Sequence, residues 1–167
     1  MYSRRVRHIT ESAVIAAIYT VFTYLTSLFG LASGVIQVRI SEALIALVCF
    51  TPSAIPGLFI GCIIANLLGG AIPVDIIFGS IATLIGAVFT YKLRNSNRFL
   101  SPIPPIAANA IIVPFVLRFG YGVNLPIPLM MLTVGIGEVV SCAIVGLILQ
   151  TALLKYKNVI FRSQKAL

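Results

Sequence analysis

Long apolar segments separated by short polar turns cover almost the whole chain. Six of them can be placed, at about residues 8–29, 40–50, 57–68, 74–91, 102–117 and 128–154. An apolar stretch of about 20 residues is long enough to cross a bilayer as a helix. The second and third segments are shorter than this, so we expect them to be tilted or partly re-entrant. The pattern predicts an all-α fold, a six-helix membrane bundle.

Composition places the chain among integral membrane proteins. The sequence is 59% hydrophobic and 10% charged, with a mean hydropathy of +1.08. A soluble domain of this length needs a far more polar exterior. Six spans use most of the 167 residues, so we expect one membrane-embedded domain over residues 1–167, without a separate soluble catalytic domain.

The positive charges carry a topology signal. Ten of the 12 cationic residues fall into three clusters: Arg4, Arg5, Arg7; Lys92, Arg94, Arg98; and Lys155, Lys157, Arg162, Lys165. With six spans, all three clusters lie on one side, which the positive-inside rule makes cytoplasmic. We therefore expect both termini in the cytoplasm, a plasma-membrane location and no nucleic-acid partner.

A signal peptide ending near Ala32 is an alternative reading of the N-terminal segment. Cleavage there would leave five spans and move a basic cluster to the wrong side of the membrane. An even number of spans keeps all three basic clusters on one side, so the charge distribution favours retention of the first span.

Acidic residues are rare and mostly lie within apolar segments. Glu42, Asp75 and Glu138 lie inside or at the mouths of such segments, and Glu11 lies near the start of the first. A carboxylate at hydrocarbon depth is costly and usually faces a bundle interior or a water-filled cavity. In the predicted topology Glu42, Asp75 and Glu138 share the outer half of the bundle with Arg39, Asn66 and Asn109. We interpret the set as an outward-facing pocket for a polar solute.

Most of these residues also have a structural explanation, whereas Glu138 has no cation near it in the sequence and is best explained by a ligand or a coupling role. Arg39 and Glu42 are three positions apart and can neutralise each other on a helix. Asp75 can cap the start of the fourth span. Asn66 and Asn109 can form hydrogen bonds between helices. Phe78, Phe119 and Tyr121, which are candidates for contact with a ring of the solute, can instead pack at the membrane interface.

Catalysis finds little support in the sequence. The single histidine, His8, lies in the basic N-terminal tail, and there is no phosphate-binding loop of the G-x-x-x-x-G-K-[ST] type. Cys49, Cys62 and Cys142 form no CxxC pair and are interpreted as packing residues. We expect no enzyme activity, cofactor or metal, and active transport would need a partner or an ion gradient.

Small residues recur at helical spacing on two segments. Gly57, Gly61, Ala65 and Gly69 follow one another four apart, and Ala13 and Ala17 form a similar patch on the first segment. Such spacing lets two helix backbones approach closely. Either packing within the bundle or a surface for a partner helix explains them.

Several ordered stretches resemble one family of transport proteins. They are residues 38–44 (VRISEAL), 52–62 (Pro-x-x-x-Pro-GLFIGC), 65–70 (ANLLGG), 75–84 (DIIFGSIATL) and the span end at 91–94 (YKLR). Together they are similar to the QueT family, which are substrate-binding S components of energy-coupling factor (ECF) transporters assigned to queuosine precursors. After Pro102 the similarity is looser and rests on Asn109, Pro114, Gly137 and Glu138.

The resemblance implies a mechanism and partners. An S component has six membrane helices with both termini inside and an outer solute pocket closed by the loop between spans one and two. It works with a transmembrane T component and two cytoplasmic ATPases, and is thought to topple in the membrane. Ala13 and Ala17 match the family's contact with the T component.

The implied solute is 7-aminomethyl-7-deazaguanine. Its guanine-like edge offers adjacent donors that one carboxylate can accept, and its aminomethyl group is cationic and calls for a second. The hypothesis is that Glu42, Asp75 and Glu138 divide these tasks. Asn66 or Asn109 would read the carbonyl side, and Arg39 would orient Glu42 or meet the base oxygen.

Other functions remain open at this point. The chain is alternatively an S component for another vitamin or nucleobase, or a small proton-coupled carrier with Glu138 as its relay. A structural membrane subunit without a solute is a further possibility. A source in bacteria fits the implied family.

Overall fold

The structure is a computed structural model that describes residues 2–30 and 37–160, with side chains described over 4–30 and 37–156. Every regular element in these ranges is helical, and they contain no strand. The elements are α1 (Tyr2–Leu28), a 3₁₀ helix (Ile40–Cys49), α2 (Ala54–Leu68), α3 (Pro73–Leu93), a 3₁₀ turn (Arg98–Leu100), α4 (Ile103–Phe115), a first π-helical segment (Val116–Gly120), α5 (Ile127–Glu138), a second π-helical segment (Val139–Val145) and α6 (Gly146–Ile160).

The order of the six apolar segments matches the prediction, but several bounds do not. Helix α1 begins at Tyr2 rather than near residue 8, so the first basic cluster is helical. Helix α2 begins at Ala54 rather than near residue 57. The last predicted span is α5, the second π-helical segment and α6 in one uninterrupted run.

Four helical stretches are long and apolar enough to cross a membrane: Arg4–Leu28, Pro73–Leu93, Arg98–Gly120 and Ile127–Tyr156. The 3₁₀ helix and α2 are shorter apolar helices. Large apolar side chains are exposed along the outer faces of the long helices, for example Val21, Phe22, Ile85, Phe89, Ile111, Leu132 and Ile148. Polar side chains are buried instead, an arrangement that suits a lipid surround.

The 3₁₀ helix lies at the centre of the fold. It contacts α1, α2, α3, the second π-helical segment and α6. Ser41 to Ala46 and Val48 are all buried, so the element is enclosed on nearly every side. A 3₁₀ helix rises about 2.0 Å per residue, so this segment extends ~20 Å, where an α-helix of equal length would extend ~15 Å. The stretched geometry lets a short segment reach through more of the bundle.

Close packing of α1 against α2 explains the glycines of α2. A Cβ atom at Gly57 would lie 2.9 Å from both Ile15 Cβ and Ser12 O, and one at Gly61 would lie 2.9 Å from Tyr19 Cβ. These two glycines therefore serve packing within the protein. On α1 the facing small residue is Ala16, whereas Ala13 and Ala17 point to the exterior.

Polar contacts distinguish the two ends of the bundle. At one end Thr51 donates to Glu11 (3.1 Å) and Ser101 donates to Gln150 (3.2 Å). Cys49, at the end of the 3₁₀ helix just before Thr51, lies beside Ser101 and Arg94. The beginning of α1 and the part of α6 around Gln150 therefore lie at the same end, together with Arg7 and Arg94. A polar cavity opens at the other end. The cytoplasmic location of the basic end stays a prediction from charge.

Candidate functional site

A polar cavity of about 340 Å³ lies at the end of the bundle away from Arg7 and Arg94. Its walls come from α1, the extended segment before the 3₁₀ helix, α2, α3 and the chain that follows α4. The polar lining residues are Thr23, Ser27, Gln37, Arg39, Asn66, Asp75 and Tyr121, and apolar atoms come from Ala65, Ala71, Leu117 and Val123. Small-molecule sites begin at about 300 Å³, so the cavity suits one small, polar ligand.

The turn between α2 and α3 positions two of these side chains. Gly70 has φ +71°, which a glycine adopts without strain, and Ala71 N donates to Asn66 O to close the end of α2. Asn66 Nδ2 and Asp75 Oδ1 then both lie beside Gly79, where a Cβ atom would be 3.4 and 3.1 Å from them. The absent side chain at Gly79 leaves room for this amide and carboxylate.

Tyr121 joins the loop after α4 to the start of α3. Its hydroxyl donates to Asp75 Oδ2 at 2.9 Å and accepts from Ile72 N at 3.4 Å. Partial burial, together with the hydrogen bond to Asp75, raises the pKa of Tyr121 above its ordinary value. The N-cap position of α3 is Ile72, so Asp75 is not the helix cap considered from the sequence. Its carboxylate instead faces the cavity.

Arg39 lies immediately before the 3₁₀ helix, with an extended backbone (φ −100°, ψ 98°). The expectation that Arg39 and Glu42 pair along one helix is therefore wrong, because Arg39 is outside it. In the described part of the chain the only ion pair within 4.0 Å joins Arg7 and Glu11. Arg39 Nε is buried without a hydrogen-bond partner among the described residues, which leaves a donor available in the cavity wall.

Beneath the cavity, Glu42 projects from the 3₁₀ helix into the core. It is 2% exposed. Its Oε1 accepts hydrogen bonds from the Tyr19 hydroxyl and from Thr83 Oγ1, the latter at 3.3 Å. Its other oxygen, Oε2, is buried with no partner among the described residues. Oε1 is thus held by two hydrogen bonds, whereas Oε2 is available to a ligand.

Glu138 approaches Glu42 from the other side of the core, at the junction of α5 with the second π-helical segment. One carboxylate oxygen from each residue and Cys142 Sγ all lie within 4.8 Å of one another, and all three residues are buried. Cys142 Sγ donates to Glu138 Oε2 at 3.4 Å. Asn109, on α4, lies beside Glu138. Its Nδ2 is buried without a partner of hydrogen-bond geometry among the described residues.

The two carboxylates, called here the carboxylate pair (Glu42 and Glu138), lie next to the cavity. Asn66 in the cavity wall contacts Cys62 Sγ at 3.6 Å, Thr83 contacts the same sulfur at 3.6 Å, and Thr83 also reaches Glu42. Two neighbouring carboxylates with an unsatisfied oxygen favour a cationic guest. The oxygen, oxygen and sulfur ligands are also chemically able to hold a metal ion.

The structure thus divides the residues predicted from the sequence into three places. Arg39, Asn66, Asp75 and Tyr121 line the cavity. Glu42, Glu138 and Asn109 form the deeper group. Phe78 is not brought to either place, since it is half-exposed and lines a separate apolar cleft between α3 and α4. Phe119 lines that cleft too.

Sequence reasoning missed several residues of the site. Tyr19, Thr83 and Gln37 were not singled out, and Cys142 was assigned to packing alone, although it also contacts Glu138. A signal was present on α1, because Tyr19, Thr23 and Thr26 recur at helical spacing and are all buried. Cys142 follows Glu138 by four residues, which is one helical turn.

An apolar groove of about 870 Å³ runs along the outside of α1 and α2. Ala13 and Ala17 line it. The rest of its lining is His8, Ile9, Ser12, Ala16, Thr20, Val21, Pro52, Ser53, Pro56, Ile60 and Ile64. Small side chains on α1 make the floor, so a helix can approach the backbone there.

Comparisons with known proteins agree with this picture. The family described as QueT transporter matches residues 9–155. A curated relative, the queuosine precursor transporter QueT of Lactococcus lactis subsp. cremoris strain MG1363, is 36% identical over 77 residues. That alignment covers 46% of this chain and 45% of the relative, so it spans less than half of each. No solved structure gives a significant match. The family match covers most of the chain and accords with the long apolar helices, so this multi-pass membrane protein belongs to the QueT transporter family.

Proposed function

We propose that the chain is the substrate-binding S component of an ECF-type importer, and that its solute is a queuosine precursor, 7-aminomethyl-7-deazaguanine. The family and the name of the Lactococcus relative support the solute class. The observation that carries the proposal is a small polar cavity whose wall is connected, through Cys62 and Thr83, to two buried carboxylates in an otherwise apolar bundle. A planar base with one cationic arm matches both parts.

The cavity supplies partners for the guanine-like ring. Asp75 accepts from the adjacent N–H and amino donors of the base, and a charged acceptor makes this pair of bonds strong. Asn66, near Asp75 beside Gly79, can both donate and accept at the ring edge. Arg39, with an unpartnered Nε, meets the base oxygen. Arg39 Nε would otherwise remain unsatisfied in the cavity wall, so a base that lacks this oxygen leaves a buried donor unpaired and binds less well.

The groove on α1 and α2 supports the proposed partners. It is continuous, apolar and floored by Ala13 and Ala17, as expected of a surface that receives helices of a T component. The sequence carries no phosphate-binding loop, so ATP hydrolysis is assigned to two partner ATPase subunits. In this mechanism the S component topples with its solute against the T component and releases it inside.

Calorimetric titration of the purified protein tests the solute. The titrants are 7-aminomethyl-7-deazaguanine, 7-deazaguanine, guanine and riboflavin. We expect saturable binding confined to the deazaguanines. Binding of riboflavin alone, or of none of the four, would overturn the assignment. Uptake into vesicles that contain this chain without ATPase partners would instead support a proton-coupled carrier.

A further inference from the structure

We propose that the carboxylate pair is the subsite for the ammonium group of the substrate, and that it holds one proton when empty and releases that proton when the ammonium binds. The inference rests on the proposed function and assigns a task within it. Asp75 would accept hydrogen bonds from the N–H donors of the base, and Glu42 together with Glu138 would bind the ammonium of the aminomethyl group.

Geometry gives the first argument. An oxygen of Glu42 lies within 4.8 Å of an oxygen of Glu138, and the residues are 2% and 6% exposed. Two carboxylates this close in an apolar interior do not both ionise without a compensating cation, so they share a proton. No cationic nitrogen of the described residues lies within 4.0 Å of either carboxylate.

The surroundings offer little compensation. The titratable or charged groups that face the pair are Tyr19 from α1, Cys62 from α2, Arg39 from the segment before the 3₁₀ helix, and Cys142 from the second π-helical segment. Three of these are neutral when protonated. The single positive charge, on Arg39, also acts on Asp75 across the cavity. Among the groups that face the pair, the Arg39 guanidinium is thus the one positive charge, and it is shared by Glu42, Glu138 and Asp75. A fully ionised pair would therefore carry at least one uncompensated negative charge.

An unsatisfied polar atom gives an independent argument. Glu42 Oε2 has no hydrogen-bond partner among the described residues. Glu42 is more than nine-tenths buried. A buried acceptor without a partner is costly and calls for an explanation. A bound ammonium has three N–H donors, which suit this oxygen and the carboxylate of Glu138.

The exchange balances in charge. The empty pair carries one proton and one negative charge. Binding of the ammonium form of the substrate, R–NH₃⁺, displaces that proton to solvent and leaves two carboxylates around one cation with the same net charge. A base that lacks the amine brings no cation and leaves the proton in place. Proton release therefore distinguishes the two kinds of base.

The test is calorimetric titration of the whole protein at one pH in phosphate and in Tris, whose ionisation enthalpies differ. The difference in apparent enthalpy gives the number of protons released. We expect about one for 7-aminomethyl-7-deazaguanine and none for 7-deazaguanine. Glu138→Gln should abolish the release and lower the preference for the amine-bearing base roughly 10- to 100-fold, the scale of one charged hydrogen bond. Asp75→Asn is the matched control, and should weaken both bases while the release persists.

The outcomes separate this inference from the proposed function. Equal proton release for the two bases in the wild-type protein would overturn the inference and leave the proposed function standing. So would an unchanged preference in Glu138→Gln. Failure of every deazaguanine to bind would overturn both. Stoichiometric zinc in the purified protein, lost in Glu138→Gln, would overturn the ammonium subsite and assign the pair to a metal. If Glu138→Gln does not fold, the proton release of the wild-type protein with the two bases still tests the inference.

Discussion

The Tyr121 hydroxyl donates a 2.9 Å hydrogen bond to Asp75 Oδ2 and so ties the loop after α4 to the first turn of α3 across the cavity mouth. The contact orients the carboxylate that is proposed to read the base. Tyr121→Phe removes the bond and leaves the ring. We expect substrate affinity to fall about five- to tenfold, the scale of one hydrogen bond, measured by calorimetric titration.

The matched control for this variant is Tyr24→Phe, because Tyr24 is exposed on α1 and does not line the cavity. Its affinity should equal that of the wild-type protein. Equal affinities for Tyr121→Phe and the wild-type protein would show that the hydroxyl does not position Asp75 for binding.

The same contact predicts a dependence on alkaline pH. The pKa of Tyr121 is raised above 10.0 by partial burial and by the hydrogen bond to Asp75. A raised pKa means that the protonated form is favoured in the folded state, so the stabilisation is fully present below pH 10.0 and is lost as the pH rises through the raised pKa. Ultraviolet titration of tyrosinate should show a late-ionising component that Tyr121→Phe removes. Identical titration curves for the two proteins would contradict this.

Gly137 lies against the segment that leads into the 3₁₀ helix. A Cβ atom there would overlap the carbonyl oxygen of Gln37, and backbone cannot move aside as a flexible side chain can. We expect Gly137→Ala to destabilise the protein by about 1–3 kcal/mol, as overpacking does, and to disturb Gln37 in the cavity wall. Thermal unfolding in detergent measures the loss.

Gly135, two residues earlier on α5, is the control for that substitution. A Cβ atom there meets only Ala110 Cβ at 3.8 Å, an ordinary contact. Gly135→Ala should leave stability unchanged or raise it by up to about 1 kcal/mol, because alanine favours the helix. Similar effects of the two substitutions would show that the approach of Gln37 to α5 is not tight.

The groove on α1 and α2 gives a prediction about assembly. Ala17→Leu fills its floor, whereas Val14→Leu enlarges a side chain that is exposed on the same helix but does not line the groove. We expect Ala17→Leu to abolish co-purification with a T component and ATP-dependent uptake, while substrate binding by the isolated chain persists. Val14→Leu should preserve all three. Unchanged co-purification of Ala17→Leu would place the partner surface elsewhere.

Hydropathy was sufficient to predict the order of the helices, because a segment in lipid must be apolar throughout. It could not predict that Ile40–Cys49 is a 3₁₀ helix, since an enclosed segment has no polar face to reveal its period. The start of α1 was misplaced because arginines near Arg4 were read as a tail, although arginine is a good helix former.

The candidate site could be predicted in part for a related reason. A carboxylate in an apolar run is conspicuous, so Glu42, Asp75 and Glu138 were found. Tyr19 and Thr83, which hold Glu42, were not found, because hydroxyl groups are common in membrane helices and only the fold brings them together. Phe78 was misplaced because a helix turns 100° per residue, and its position three residues after Asp75 still directs it to the lateral cleft.

Enclosure of the segment Ile40–Cys49 has a consequence for biosynthesis. The segment is apolar apart from Ser41 and Glu42, and the Glu42 carboxylate is costly in lipid until Tyr19 and Thr83 supply its hydrogen bonds. The long helices can enter individually and associate afterwards. We therefore expect this segment to reach its final depth only when α1 and α3 have come together around it. Chains arrested earlier would leave Glu42 without its hydrogen-bond partners, a mark by which membrane proteases can distinguish them.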